Sequence, residues 1–362
     1  MKQKVYLLLW TIVIPILAWL GYFGISLGLQ GWIFHVALSL LLMGSVLAAV
    51  HHAEVVAHRV GEPFGTLLLA LAITVIEVAL IVSLMLTDGG LTTMTLARDT
   101  VLAAVMIILT GIIGICLLVG GARFKEQVFR IQGVSAALIT LTAILVFTLI
   151  LPNYTTSRAT SEYSPVQLVF VAVVCLVLYI AFILVQAIRH RAFFLPPDAD
   201  GNEEVFAEPP TIKTTIVSAV LLVLCLGIVV LLAKSLAPDI ETAVRKAGAP
   251  KSLVGVIIAA VVLLPEGLAA NRAAKKNRLQ TSLNLALGSA LASIGLTIPA
   301  VGAVSVITGM RITLGIDMKA TILLGLALFT IMLSLATGRT NILQGIVLLM
   351  IFVVYLFTIV AP

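Results

Sequence analysis

Two glutamates stand where a glutamate is costly. Glu266 follows an apolar run that begins at Leu253 and ends at Pro265, and Leu268, Ala269 and Ala270 come after it. Glu77 lies in a second apolar stretch, 64–85, whose other polar residues are Thr66, Thr74 and Ser83. A carboxylate inside hydrocarbon costs several kcal/mol unless it is paired, protonated or facing water, so each is a candidate for ion or proton chemistry. Pro265 deletes a backbone donor beside Glu266 and is expected to loosen the helix there. Freed backbone groups next to a charge are one way secondary transporters build ion sites. The bland alternative is two unrelated helices that each tolerate a glutamate at an interface.

The elements that must position these residues are membrane spans. Of 362 residues, 61% are hydrophobic and 10% charged, and mean hydropathy is +1.21. A soluble domain carries about 25% charged residues. Eleven apolar segments reach the length of roughly 20 residues that a bilayer requires. They are 5–27, 32–52, 63–86, 99–121, 133–151, 165–188, 212–234, 252–274, 281–307, 318–337 and 341–360. The fold class is therefore an all-α polytopic membrane protein. The first span, preceded by Lys2 and Lys4, is too long for a signal-peptide core and reads as retained. Cys116, Cys175 and Cys225 fall inside spans and read as small packing residues.

Both glutamates follow a glycine at nearly the same distance, Gly65 by twelve positions and Gly255 by eleven. One such helix in each half of the chain points to an internal repeat. The organisation that follows is an N-terminal helix (1–31), a five-helix repeat (32–189), an acidic linker (190–211) and a second five-helix repeat (212–362). An odd number of crossings per repeat inverts the second relative to the first. Each glutamate then belongs to the second helix of its repeat, and the two can meet near the midplane. The linker is rich in proline and acid, from Pro196 to Pro210, which excludes a packed core.

Loop charge sets the orientation. Of 22 Lys and Arg, 14 fall at the N-terminus or in the loops after even-numbered spans and 8 on the other side. The positive-inside rule makes the N-terminus and the linker cytoplasmic and leaves the C-terminus outside. The loop 234–251 opposes this bias with Lys234, Arg245, Lys246 and Lys251. The net charge of +6 is explained by these loops and calls for no nucleic-acid partner.

Other residues admit a structural and a functional role. Thr74 is three positions before Glu77 and shares its helix face. Its hydroxyl can ligate a cation or bond the preceding turn. Ser289, Ser293 and Thr297 recur every fourth position beside Gly288 and Gly295. Ser293 and Thr297 read as close packing, Ser289 and Gly288 as site-lining. Ala103, Ala104, Thr110, Gly111 and Gly114 make a similar stripe. Glu54 and His58, near His51 and His52, are either an interface pair or a proton-entry site. Arg98 and Asp99 are expected at the outer mouth of the fourth span, with Asp99 at the helix N-terminus. Arg339 reads as an anchor and Asn341 as a cap.

These residues together resemble the calcium/cation antiporter superfamily, and within it the cation/proton exchangers. Ala53-Glu54, Gly61, Gly65 and Glu77 are similar to the family's first repeat motif. Pro265-Glu266, Lys276-Asn277 and Ala286-Leu287-Gly288-Ser289 are similar to the second, and Gly120-Gly121 also matches. The wording around His52-Ala53-Glu54, Ile76-Glu77-Val78, Pro265-Glu266-Gly267 and Gly338-Arg339-Thr340-Asn341 is nearest to the bacterial sodium/calcium–proton subfamily. The resemblance covers essentially the whole chain. It implies a bacterial inner-membrane antiporter that needs no cofactor and exchanges Ca²⁺, Na⁺ or K⁺ for protons. Glu77 and Glu266 would bind the ions, with Thr74, Pro265, Gly288 and Ser289 lining the site and Glu54 and His58 at a proton entry. One departure stands out. The wider family has Gly-Asn before each glutamate, where this chain has Ile73-Thr74 and Val262-Leu263. Ca²⁺ takes six to eight oxygens, so the missing amides relax the expected preference for it.

A cation channel with a carboxylate ring, or a Na⁺/Ca²⁺ exchanger without proton coupling, would use the same residues. An enzyme is not expected, since the spans hold no HExxH, no paired aspartates and no Ser-His pair. The sequence also admits assembly of several copies of the chain.

Overall fold

The computed structural model describes residues 8–29, 31–61, 91–156, 161–196, 210–246 and 252–361. It also describes Gly248, Pro250 and positions 71–72, 74–75, 77–79 and 81–82. Helices dominate, because in lipid each backbone N–H and C=O must find its partner within its own segment. Among the described residues, nine helices are long and apolar enough to cross a membrane, and Leu9–Ile25 forms a shorter apolar one. Of the expected span 63–86, the described positions between 71 and 82 are helical. The all-α polytopic fold read from hydropathy is thus observed, and the expected count of eleven spans roughly fits.

The chain divides into two compact units. The first takes Met1–Leu84 and Gly201–Ala247. Here α1 (Leu9–Ser26) and α2 (Trp32–Val60) pack on each other and on α7 (Ile212–Lys246). Glycines bring α1 and α2 close. A Cβ built on Gly21 would lie 2.6 Å from Leu38 Cδ2, and one on Gly44 2.7 Å from Ile14 Cγ2. Trp19 Nε1 donates to the Leu224 carbonyl of α7 at 3.3 Å. His52 is buried, with Nε2 3.2 Å from the Thr11 carbonyl.

The second unit takes Met85–Asp200 and Gly248–Pro362. Its first span is α3 (Leu91–Met106), a π-helical turn over Ile107–Ile112 and α4 (Ile113–Phe124). Then come β1 (Gln127–Val128), α5 (Ile131–Leu145) and α6 (Pro165–Leu184). After α7 the unit resumes with α8 (Ser252–Lys275), α9 (Leu279–Thr308), α10 (Met318–Leu335), β2 (Arg339–Thr340) and α11 (Ile342–Val360). The long helix α9 is the hub, touching α3, α4, α5, α6 and α8. β1 and β2 pair antiparallel, Gln127 opposite Thr340 and Val128 opposite Arg339.

Small residues set how closely these helices approach. A Cβ on Gly121 would lie 2.6 Å from the Ile342 backbone nitrogen, and one on Gly114 3.2 Å from that of Leu349. Gly114 in the stripe of the fourth span therefore serves packing against α11. Gly295 abuts Tyr179 of α6, and Ser293 and Thr297 are buried, as a packing stripe requires. Asn341 caps α11, accepting from Leu343 N at 3.0 Å.

Three expectations are corrected. The seventh span does not end at Lys234. α7 continues to Lys246, because Ile240, Ala243 and Val244 extend its apolar face past Pro238; Lys234, Arg245 and Lys246 lie on that helix and not in a loop. Asp99 is not at a helix N-terminus, since α3 begins at Leu91 and places it two turns inside. Pro265 does not break its helix, which stays helical from Ser252 to Lys275; one lost bond is absorbed where both flanks are packed. The acidic linker residues from Asp198 to Glu208 lie outside the described residues. Just before them Arg191–Phe194 forms a 3-10 turn, and Phe194 is buried with its ring 5.9 Å from Phe182.

The α4–α11 contact yields a test. Gly121→Ala is expected to destabilise the protein by about 1–3 kcal/mol, since a methyl group is forced into backbone. Gly325→Ala on α10, where an added Cβ meets nothing within 4 Å, is expected to be neutral or stabilising. Thermal unfolding midpoints in detergent distinguish the two, and equal midpoints would contradict the packing.

Candidate ion-binding site

Glu266 is 8% exposed on α8, near the middle of a helix that is apolar from Leu253 to Leu264. Three neighbours hold that helix in place. At its start, Gly255 lets α8 lie against Thr100 of α3, with a built Cβ 3.4 Å from Thr100 N. Beside the carboxylate, a Cβ on Gly267 would lie 3.3 Å from Ile112 Cδ1. From α9, Ser289 Oγ donates to Glu266 Oε1 at 3.4 Å. This is a long bond, weak on geometry. Gly288 precedes Ser289, and a Cβ there would meet no atom within 4 Å.

Ile112 closes the π-helical turn, where the Ile113 N–H reaches five residues back to the Ile108 carbonyl. Such turns cluster at functional sites because they shift the backbone register locally. Thr110, fully buried in the turn, donates its hydroxyl to the Met106 carbonyl at 2.5 Å. The site around Glu266 thus combines one carboxylate, one serine hydroxyl and a helix whose pairing is shifted. The sequence marks Thr110 and Gly111 as a stripe but cannot reveal a change of register.

In the other unit, Glu77 and Thr74 are each 4% exposed. Ile81 is buried too, whereas Leu71 and Val75 are exposed. Glu77 and Thr74 therefore share one buried helix face, as their spacing of three requires. Glu54 and His58 lie on the exposed side of α2 one turn apart, while His52 points inward. Among the described residues no group of three or more His, Cys, Asp or Glu gathers as a metal centre.

Several polar residues escape sequence reasoning. Gln127, 1% exposed, donates to the Ala274 carbonyl at 3.1 Å and to Asn277 Oδ1 at 3.0 Å. Its amide sits against Gly120, which leaves no room there for a Cβ. Gln280 accepts from Arg130 N at 2.6 Å and donates to Asn284, which donates to the Phe194 carbonyl. These bonds tie the turn after α8 to the ends of α4 and α6. At the opposite end, Arg98 pairs with Asp99 at 2.8 Å and donates to the Gly315 carbonyl at 3.0 Å. Glu162 is 5% exposed and accepts from Thr313 Oγ1 at 3.4 Å. Next to it, burial pushes the Tyr163 phenol above its ordinary range. Glu162 lies in a polar connection, so hydropathy gives no hint that it is buried.

The sodium/calcium exchanger protein family model matches residues 30–188 and 217–361. The chain belongs to that family. The exchanger is 48% identical over 316 residues to y4hA of Sinorhizobium fredii (strain NBRC 101917 / NGR234), named as an ionic transporter, covering 87% of this chain and 85% of that one. It is 33% identical over 322 residues to the sodium-potassium/proton antiporter ChaA of Escherichia coli (strain K12), covering 88% and 87%. Among solved structures, native YfkE superposes with a TM-score of 0.73 at 17% identity, covering 97% of the exchanger and all of that chain. The H⁺/Ca²⁺ exchanger CAX gives 0.73 at 17% identity, covering 96% and 87%. At that identity the likeness shows the fold. The exchanger is a multi-pass membrane transporter of inorganic cations and not an enzyme.

If Glu266 serves a ligand more than the fold, neutralising it should not unfold the protein. Glu266→Gln is expected to melt at or above the parent temperature, because a neutral amide is cheaper to bury than a charge. Ser289→Ala is expected to cost less than about 1 kcal/mol, given its long bond. Thermal unfolding at neutral pH checks both, and a large fall for Glu266→Gln would assign the carboxylate a structural role.

Proposed function

We propose that the exchanger is a secondary antiporter that moves Ca²⁺, Na⁺ or K⁺ against protons by alternating access. The observation that carries this reading is Glu266, a carboxylate 8% exposed in mid-span that accepts from Ser289 Oγ at 3.4 Å. Glu77, buried in its own span, is proposed as the second carboxylate. A bare charge at this depth is costly. Each carboxylate therefore binds either a proton or a cation. With protons the site is neutral and free to change access. With a cation it is again nearly neutral. Empty and ionised it is costly to move, and that cost couples the two fluxes. The two inverted five-helix repeats, the cytoplasmic N-terminus and linker, the outer C-terminus and an inner-membrane location belong to this proposal.

Proton coupling is supported by relatives whose names carry it. Besides ChaA of Escherichia coli, these include the Ca(2+)/H(+) antiporter ChaA of Bacillus subtilis (strain 168), 28% identical over 222 residues. Breadth of ion choice is supported by the residues before each glutamate. Thr74 and Leu263 offer one hydroxyl and a hydrocarbon. A sparse oxygen set favours Ca²⁺ less strongly than a full one.

Everted vesicles with an acid interior test the proposal. Ca²⁺, Na⁺ or K⁺, added separately, is expected to collapse the proton gradient. Glu77→Gln and Glu266→Gln are each expected to abolish the response at matched expression. Glu54→Gln is expected only to slow it. Leu263→Asn adds an oxygen and should shift the preference toward Ca²⁺. Silence toward all three cations, or a gradient-independent conductance, would contradict antiport.

A further inference from the structure

One motif has no part in the proposed ion chemistry. Gly338-Arg339, in the turn between α10 and α11, forms with Thr337 one wall of a cavity of about 400 Å³. The other wall is the segment from Val128 to Gln132, where the chain enters α5. The β1–β2 pairing and a bond from Phe129 N to the Gly338 carbonyl at 3.0 Å fix the two walls together.

The polar lining is basic. Arg130 and Arg339 both contribute, together with Thr337 and Gln132. Arg130 is anchored by its backbone, through the bond to Gln280. Its Nε is buried and has no acceptor among the described residues. A buried guanidinium donor without an acceptor beside a cavity calls for an anion to complete it. Arg339 is held only loosely, 3.8 Å from Glu126 Oε2, with both side chains well exposed. Such a pair is worth little and yields to a better acceptor. Arg130 is also the residue before α5 and makes no side-chain cap, so the first N–H groups of a 15-residue helix add partial positive charge.

The rim of the cavity is apolar. Val128 is 51% and Ile131 37% exposed. The exposed Met332 and Leu333 carry an apolar surface along α10 from the same end. Free phosphate has no use for such a surface, whereas acyl chains do. We propose that this cavity binds the phosphodiester headgroup of an anionic phospholipid, with Arg130 and Arg339 as its two guanidinium clamps and the chains along α10. Basic pockets between membrane helices take such headgroups. The inference does not depend on the transport reading.

Native mass spectrometry of the purified exchanger tests it, after exchange into phosphatidylcholine nanodiscs doped with phosphatidylglycerol. The parent is expected to retain phosphatidylglycerol through stepwise delipidation. The paired substitution Arg130→Gln and Arg339→Gln is expected to lower retention by roughly tenfold to thirtyfold, about one kcal/mol of surface attraction per arginine. A control pair, Arg123→Gln and Lys125→Gln, removes the same charge from exposed positions nearby and is expected to retain the lipid. Should the glutamine pair fail to fold, Arg130→Lys with Arg339→Lys keeps the charge without the planar fork and is expected to lose retention only in part. Unchanged retention in the folded glutamine pair, or equal loss in the control, would overturn the site. Thermal protection by millimolar inorganic phosphate equal to that by phosphatidylglycerol would overturn the lipid assignment.

Discussion

A carboxylate kept inside hydrocarbon is the constraint on which the rest of the site depends. The cost is several kcal/mol for a charge at this depth. Beside Glu266 stand a serine hydroxyl and two tightly apposed helices. A group in that position gains most from binding a proton or a cation. On the proposed reading, antiport follows from having both available on one atom set, since the two ligands then compete for the same negative charge.

The packing can be understood as what holds such a group still. α8 carries Glu266 and stays helical through Pro265, with Gly255 and Gly267 pressing it to α3 and to the π-helical turn. α9 brings Ser289 from the hub of the unit. The first span of this unit is in turn clamped to α11 by Gly114 and Gly121. In lipid, helix association draws on van der Waals contact more than on the hydrophobic effect. Glycine at each of these contacts is the means of obtaining it. The polar lattice of Gln127, Asn277, Gln280 and Asn284 does the same work at the end of α8 where helices give way to turns.

What could be read from the sequence divides along physical lines. Spans such as α8, α9 and α11 are legible to within a few residues, because apolar length is what a bilayer demands. Glu77 and Glu266 are legible because a buried charge is rare and costly. The end of α7 is not, since Lys234 and Asp239 interrupt the hydropathy of a helix that packing carries on to Lys246. Hydropathy places Asp99 at a helix start, whereas the backbone is helical from Leu91. The π-helical turn leaves no compositional trace. Gln127 meets Asn277 across 150 positions of chain, and no local pattern announces such a pairing. Arg339 reads as a simple anchor until its neighbour Arg130 and the cavity between them are seen.

The shared carboxylate is tested most directly on the purified protein, away from any gradient. A pH indicator in weak buffer reports protons released when Ca²⁺, Na⁺ or K⁺ is added. Release is expected to saturate with cation, to approach one proton per carboxylate engaged, and to fall in Glu266→Gln. Cation binding measured in parallel without any proton release would contradict the shared site.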